Sequence, residues 1–184
     1  DLDLTVTEVV RRQPHQHPDL LGATNAAAFE ITRRPRPIAD DPEVQAAGQS
    51  VVRVLGTACG LGVSGSGWIA APGIIATNAH VIAGQDDTTV TTQSGLEFDA
   101  DAVNYDSRND LALLRVTGLD ADVIPLADRA EKGTDAAVLG FPENGPYHVA
   151  AARIGTTAEV VSEDSYGRGP VRRGHAPDGA RSRP

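Results

Sequence analysis

The chain has 184 residues, enough for one medium domain or for a small domain with a flank. Its formal net charge of -9 excludes a general nucleic-acid binder, because phosphate contacts need clustered Lys and Arg. The basic residues gather near the two ends (Arg33, Arg34, Arg36; Arg168, Arg172, Arg173), where they read as solvated tails. Nineteen glycines and twelve prolines, against three Phe, three Tyr and one Trp, exclude long packed helices and point to an all-β chain of short strands.

No apolar run reaches the roughly 18 residues of a membrane span, so no membrane contact is expected of this segment. The chain begins at Asp1, which leaves room for an upstream targeting or transmembrane region. Its one cysteine, Cys59, excludes an internal disulfide and an all-cysteine zinc site. Two readings of that thiol stand: a buried free cysteine, or a partner outside the chain.

In chain order, residues 1–45 read as a flank rich in proline and charge, with a short helix over Pro42 to Gln49. The pair His15 and His17 has no further acid or cysteine ligand nearby and reads as an exposed linker. From Ser50 the pattern becomes β: Ser50 to Leu55, Val63 to Ala70, Gly73 to Thr77, Thr88 to Thr92, Leu96 to Val103 and Leu111 to Val116 are six short strands. Gln93-Ser94-Gly95 suits a hairpin connection, with Gly supplying a positive φ. Six strands at this spacing predict a closed barrel at about 50 to 118, closure being the way to remove exposed edges. Asp135 to Gly140 and Tyr147 to Thr156 would begin a second barrel. The organisation expected is a flank at 1–45, a first barrel at 46–120, the start of a second at 121–166, and an unstructured tail at 167–184. That tail, GRGPVRRGHAPDGARSRP, has the Arg, Gly, Pro and Ala content of a GC-rich gene read out of frame. A truncation or frameshift near Arg172 and a genuine disordered tail both fit it.

Two stretches carry chemistry together, GSGWIAAPGIIATNAHVIAG at Gly65 to Gly84 and NDLALLRV at Asn109 to Val116. Alone, His80 reads as a core histidine. Asp110, thirty positions on, opens an apolar strand, where an acid has no packing role. An aspartate beside Nδ1 fixes the tautomer that leaves Nε2 free to take a proton, and stabilises the imidazolium that forms. The pair reads as a general base and its orienting acid.

Thr77-Asn78-Ala79-His80-Val81 behind a GSG-bearing strand, followed by Asp110-Leu111-Ala112-Leu113-Leu114, resembles the trypsin-like serine peptidases of the chymotrypsin double-barrel fold. Within them it is similar to HtrA-like enzymes and to actinobacterial membrane-anchored acid-resistance proteases, whose protease domain follows a colicin-V-production-type membrane domain. The resemblance covers about Pro42 to Val161, Gly140-Phe141-Pro142 included. It implies peptide or protein substrates, endopeptidase cleavage through an acyl-enzyme, no metal or organic cofactor, and an extracytoplasmic place behind a membrane anchor. It also implies a nucleophilic serine in a G-[DN]-S-G-G context, which these residues lack. Ser162 and Ser165 sit among acids that would repel an oxyanion, and Ser64 and Ser66 are explained by close barrel packing. In the chain order His, Asp, Ser, the serine is expected past Pro184, and a cysteine there would be the partner of Cys59. Two rivals stand beside this reading: a non-catalytic peptide-binding or regulatory barrel that retains His80 and Asp110, and a fragment without function.

Overall fold

The computed structural model describes residues 37–127, 132–155, 160–164, 166 and 169–173. A short 3₁₀ turn, Ile38–Asp40, leads into helix α1, Pro42–Gly48. The Asp41 carboxylate accepts the Glu43 N–H at 3.0 Å, and Pro42 occupies the first turn, where its missing N–H costs nothing.

Six strands follow: β1 (Val51–Ala58), β2 (Leu61–Ala71), β3 (Ile74–Thr77), β4 (Gln85–Thr91), β5 (Glu97–Asp106) and β6 (Leu111–Val116). They close as β1-β2-β3-β6-β5-β4, every pairing antiparallel. The barrel expected from strand spacing is therefore present. Its interior is apolar, built on Val52, Val54, Ile69, Ile75, Val90 and Leu114. The Gln93–Gly95 connection takes the expected form, with Gly95 at φ 85.

Cys59 overturns the expectation of a buried thiol. It lies exposed in the two-residue turn joining β1 and β2, with φ 52, followed by Gly60 at φ 76. Two positive φ values in succession match the right-handed twist of the flanking strands, and a hairpin tip lies outside the core.

Strands β7 (Asp135–Gly140) and β8 (His148–Arg153) pair antiparallel around a second 3₁₀ turn, Pro142–Asn144. A separate cluster lies between this sheet and the barrel: Val44 of α1, Val51, Ile124, Ala137, Leu139 and Phe141, with Ile38, Ala47, Trp68, Tyr147 and Val149 packed against it. Residues 38–45, read as flank, thus help cover the second sheet together with the end of α1, because Ile38, Val44 and Ala47 share one apolar side of the turn and helix.

Strand β9 (Val160–Glu163) pairs with β10 (Pro170–Arg173). Ordered pairing therefore extends past Gly167, into the stretch where composition predicts no strand. A hairpin satisfies its backbone groups without apolar side chains, which is why composition does not report it. His15, His17 and Ser165 lie outside the described residues. Among the described residues, no helix is long and apolar enough to cross a membrane.

Candidate active site

His80 sits on a single helical turn, α2 (Ala79–Ile82), between β3 and β4. Its neighbours Ala79, Val81 and Ile82 are buried, so the turn is anchored on three sides and the imidazole is the part that reaches out, 34% exposed. The GSG of β2 makes room for that turn. A Cβ on Gly65 would collide with both methyl groups of Val81, and one on Gly67 would come within 2.8 Å of Ile75 Cγ2. Small residues here let α2 lie directly on the barrel wall.

Asp110 reaches the imidazole from the β5–β6 turn. Strand β5 carries an irregularity between Ala102 and Asn104 against β6, and runs to Asp106, three residues beyond the expected end. Asp106 then orders the turn. Its carboxylate accepts the Asn109 N–H at 3.0 Å, the Asn109 side-chain amide at 2.6 Å and the Arg108 N–H at 3.0 Å. The Asn109 backbone bond, and then the Asn109 side-chain bond, hold this carboxyl below its ordinary value of 3.8.

The next residue, Asp110, has φ 56, a left-handed conformation rare for residues with a side chain. Its carboxylate, 12% exposed, is held at several points. Oδ2 lies 2.8 Å from His80 Nδ1, Oδ1 accepts the His80 backbone N–H at 2.9 Å, and the Asn78 amide donates to Oδ2 and to the Asp110 carbonyl, both at 3.2 Å. A carboxylate only accepts, so the Nδ1 that faces it carries a hydrogen, and the neutral form of the ring is then the tautomer whose Nε2 keeps its lone pair. The two residues singled out in the sequence are thus in contact, in the geometry of a base held in one tautomer.

Asn78 is the residue that sequence reasoning missed. It stands at the N-cap of α2, yet its side chain makes no capping bond and turns to Asp110. Its place in the Thr77-Asn78-Ala79-His80 motif was visible; its partner was not. Ser66 is buried, and its Oγ accepts the Phe141 N–H at 2.9 Å, so it is tied to the connection after β7 as well as set in the barrel wall. Ser64 lies on the same strand, and Ser162 on β9. Among the described residues no group of three His, Cys, Asp or Glu side chains could hold a metal ion.

The model of the trypsin-like peptidase domain matches residues 65–178, more than half of the chain. The chain belongs to that family. Its curated relatives include serine protease Rv3671c of Mycobacterium tuberculosis strain H37Rv, 34% identical over 133 residues that make up 71% of this chain and 33% of the relative. A second is "Probable periplasmic serine endoprotease DegP-like" of Marinomonas sp., 32% identical over 55% of this chain and 22% of the relative. The chain thus spans about a third or less of the curated relatives it matches. Among solved structures, the active form of the Rv3671c protease superposes with a TM-score of 0.70 at 30% identity, over 90% of this chain and 70% of that one. A serine endoprotease from Yersinia pestis gives 0.59 at 28% identity, over 71% and 52%. The fold is that of the chymotrypsin-like HtrA proteases, and it includes the closed six-stranded barrel described above.

Proposed function

We propose that this chain is the part of a serine endopeptidase that supplies the base and its orienting acid for peptide-bond cleavage through an acyl-enzyme. In this reading His80 Nε2 takes the proton of a serine hydroxyl as it attacks the scissile carbonyl, then returns it to the leaving amine. Asp110 holds the ring and stabilises the imidazolium. Asn78 holds Asp110. The observation that carries the reading is the 2.8 Å contact between Asp110 Oδ2 and His80 Nδ1. The division into a first barrel at 46–120 and the start of a second from 121 belongs to the same proposal.

The nucleophile is not among these 184 residues, since no G-[DN]-S-G-G stretch occurs in them. By itself the chain should therefore not turn over peptides. Residual rates after loss of a triad member come from an intact oxyanion hole and binding site, and neither has a candidate among the described residues. The substrates are peptides or proteins, and the place is extracytoplasmic, a reading supported by the periplasmic description of the DegP-like relatives. A membrane tether enters only through the resemblance of the motifs.

A fluorophosphonate probe tests the reading. A version of the domain continued into a serine-bearing G-[DN]-S-G-G segment should label, its His80→Ala variant should not, and the 184-residue chain should stay unlabelled. Labelling that survives His80→Ala would remove the base from the scheme. Peptide turnover by the chain alone that disappears in His80→Ala would return the search for a nucleophile to Ser66, Ser162 and Ser165.

A further inference from the structure

Strands β1 and β2 serve two neighbours. Val52 and Val54 belong to the barrel core, whereas Val51 and Trp68, opposite each other in the register, belong to the cluster beneath the second sheet. Arg53 and Ser66 are the next pair on that outer face, again directly opposite each other. Both reach the connection between β7 and β8. Ser66 Oγ accepts the Phe141 N–H at 2.9 Å. Arg53 Nη2 donates to the Gly145 carbonyl at 2.9 Å, and its guanidinium carbon lies 4.9 Å from the centre of the Phe141 ring.

One cross-strand pair therefore holds this turn at both ends. Between the ends, Glu143 (φ 54) and Asn144 (φ 56) are left-handed, a conformation that persists where the surroundings over-determine it. Arg53 Nε is buried and has no partner among the described residues, so the guanidinium is not placed to satisfy all of its donors. Its position follows the ring and the Gly145 carbonyl. On the other side, the Ser66 carbonyl accepts Thr77 Oγ1 at 2.8 Å, and Thr77 is joined to Asn78, which holds Asp110.

We propose that Arg53 and Ser66 are positioning residues, a two-point clamp that fixes the Phe141–Gly145 turn, and the β7–β8 sheet behind it, relative to the segment carrying His80. The residue types suit the task. A serine hydroxyl accepts an N–H from a site wedged between Gly65 and Gly67, and a planar guanidinium stacks on a ring while it donates, which an ammonium does not do. The bearing on catalysis rests on the reading of His80 as base. The clamp itself concerns placement and is tested without turnover, so failure of either leaves the other standing.

Two measurements on the full 184-residue chain decide it. The first is hydrogen exchange at the Phe141 amide, which should quicken on the order of tenfold in Arg53→Gln, although Arg53 makes no bond to that amide, while the Leu114 amide in the barrel keeps its native rate. The second is a distance distribution between spin labels on Cys59, the chain's one cysteine, and on an exposed β8 position through His148→Cys. It should broaden in Arg53→Gln and in Ser66→Ala, and Arg53→Lys should not restore it. A native Phe141 exchange rate in Arg53→Gln, an unchanged distribution, or full rescue by Arg53→Lys would each overturn the clamp. Should Ser66→Ala fail to fold, Arg53→Gln decides alone.

Discussion

Asp110 combines backbone strain with a dense set of bonds, and the two can be separated. Its left-handed φ of 56 costs a residue with a Cβ about 1–2 kcal/mol, while its carboxylate satisfies the His80 backbone N–H and one Asn78 proton. Asp110→Ala removes the bonds and keeps the strain, and Asp110→Gly removes both. Urea unfolding should therefore find Asp110→Ala the less stable by about 1 kcal/mol; equal losses would show that the φ value carries no cost. Asp106, four residues upstream, contributes through protonation. Its pKa in the folded chain is depressed, so the stability it adds is present above its unfolded value of 3.8 and is lost as pH falls through the lower folded value. In Asp106→Asn the acid limb of the stability profile should be shallower below pH 3.8 than in the native chain; an unchanged limb would assign the acid sensitivity elsewhere. At this scale the sequence picked out two residues that the fold brings into contact, because Asp110 opens an apolar strand where packing does not explain an acid. It did not reveal Asn78, Arg53 or Ser66 as partners, since a hydrogen bond to a backbone group many positions away leaves no pattern along the chain.

Helix α1 shows how an element's ordinary propensity is reversed by its neighbours. Replacing a helical glycine by alanine normally gains about 1 kcal/mol. At Gly48, however, a Cβ would lie 2.5 Å from Tyr147 Oη and 3.1 Å from Gln93 Nε2. Gly48→Ala should destabilise the protein by about 1–3 kcal/mol, and Tyr147→Phe in the same chain should relieve much of that loss by removing the hydroxyl. A stabilised Gly48→Ala would mean that the helix end is not packed against Tyr147. Tyr147 has a signature of its own. Burial raises its phenol above 10.0, the Gln93 amide opposing the shift. A raised folded pKa means that the stability is intact below 10.0 and falls as pH rises through the higher value. Tyr147→Phe should flatten that alkaline fall. The six barrel strands were legible because alternation and glycine punctuation are local signals. The docking of α1 was not, because its short apolar side acquires meaning only against Leu139 and Phe141, about a hundred positions on.

The described residues are held by two apolar centres of different character. The barrel core draws on strands that are neighbours in sequence or nearly so, and closure leaves it no free edge. The second centre is assembled from distant pieces: α1 and the turn before it, the outer face of β1 and β2, and β7–β8. A two-stranded sheet is marginal alone, so β7–β8 depends on what covers it. Val44 is 3% exposed, and burying a side chain of that size contributes about 1.5–3 kcal/mol; Ile38 and Ala47 add to it. A chain starting at residue 50 loses all three, together with the Asp41 cap. Each kcal/mol shifts the melting temperature of a domain of this size by roughly 2–4 °C, so its Tm should fall by about 5 °C or more. A chain starting at residue 37 keeps every one of these contacts, and residues 1–36 belong to the segment read as a flank; its Tm should stay within about 2 °C of the full chain. Calorimetry on the two truncations therefore places the functional boundary of the flank. Equal Tm values for the two would show that the second centre holds without α1, and a large fall for the shorter truncation would show that residues 1–36 are themselves docked.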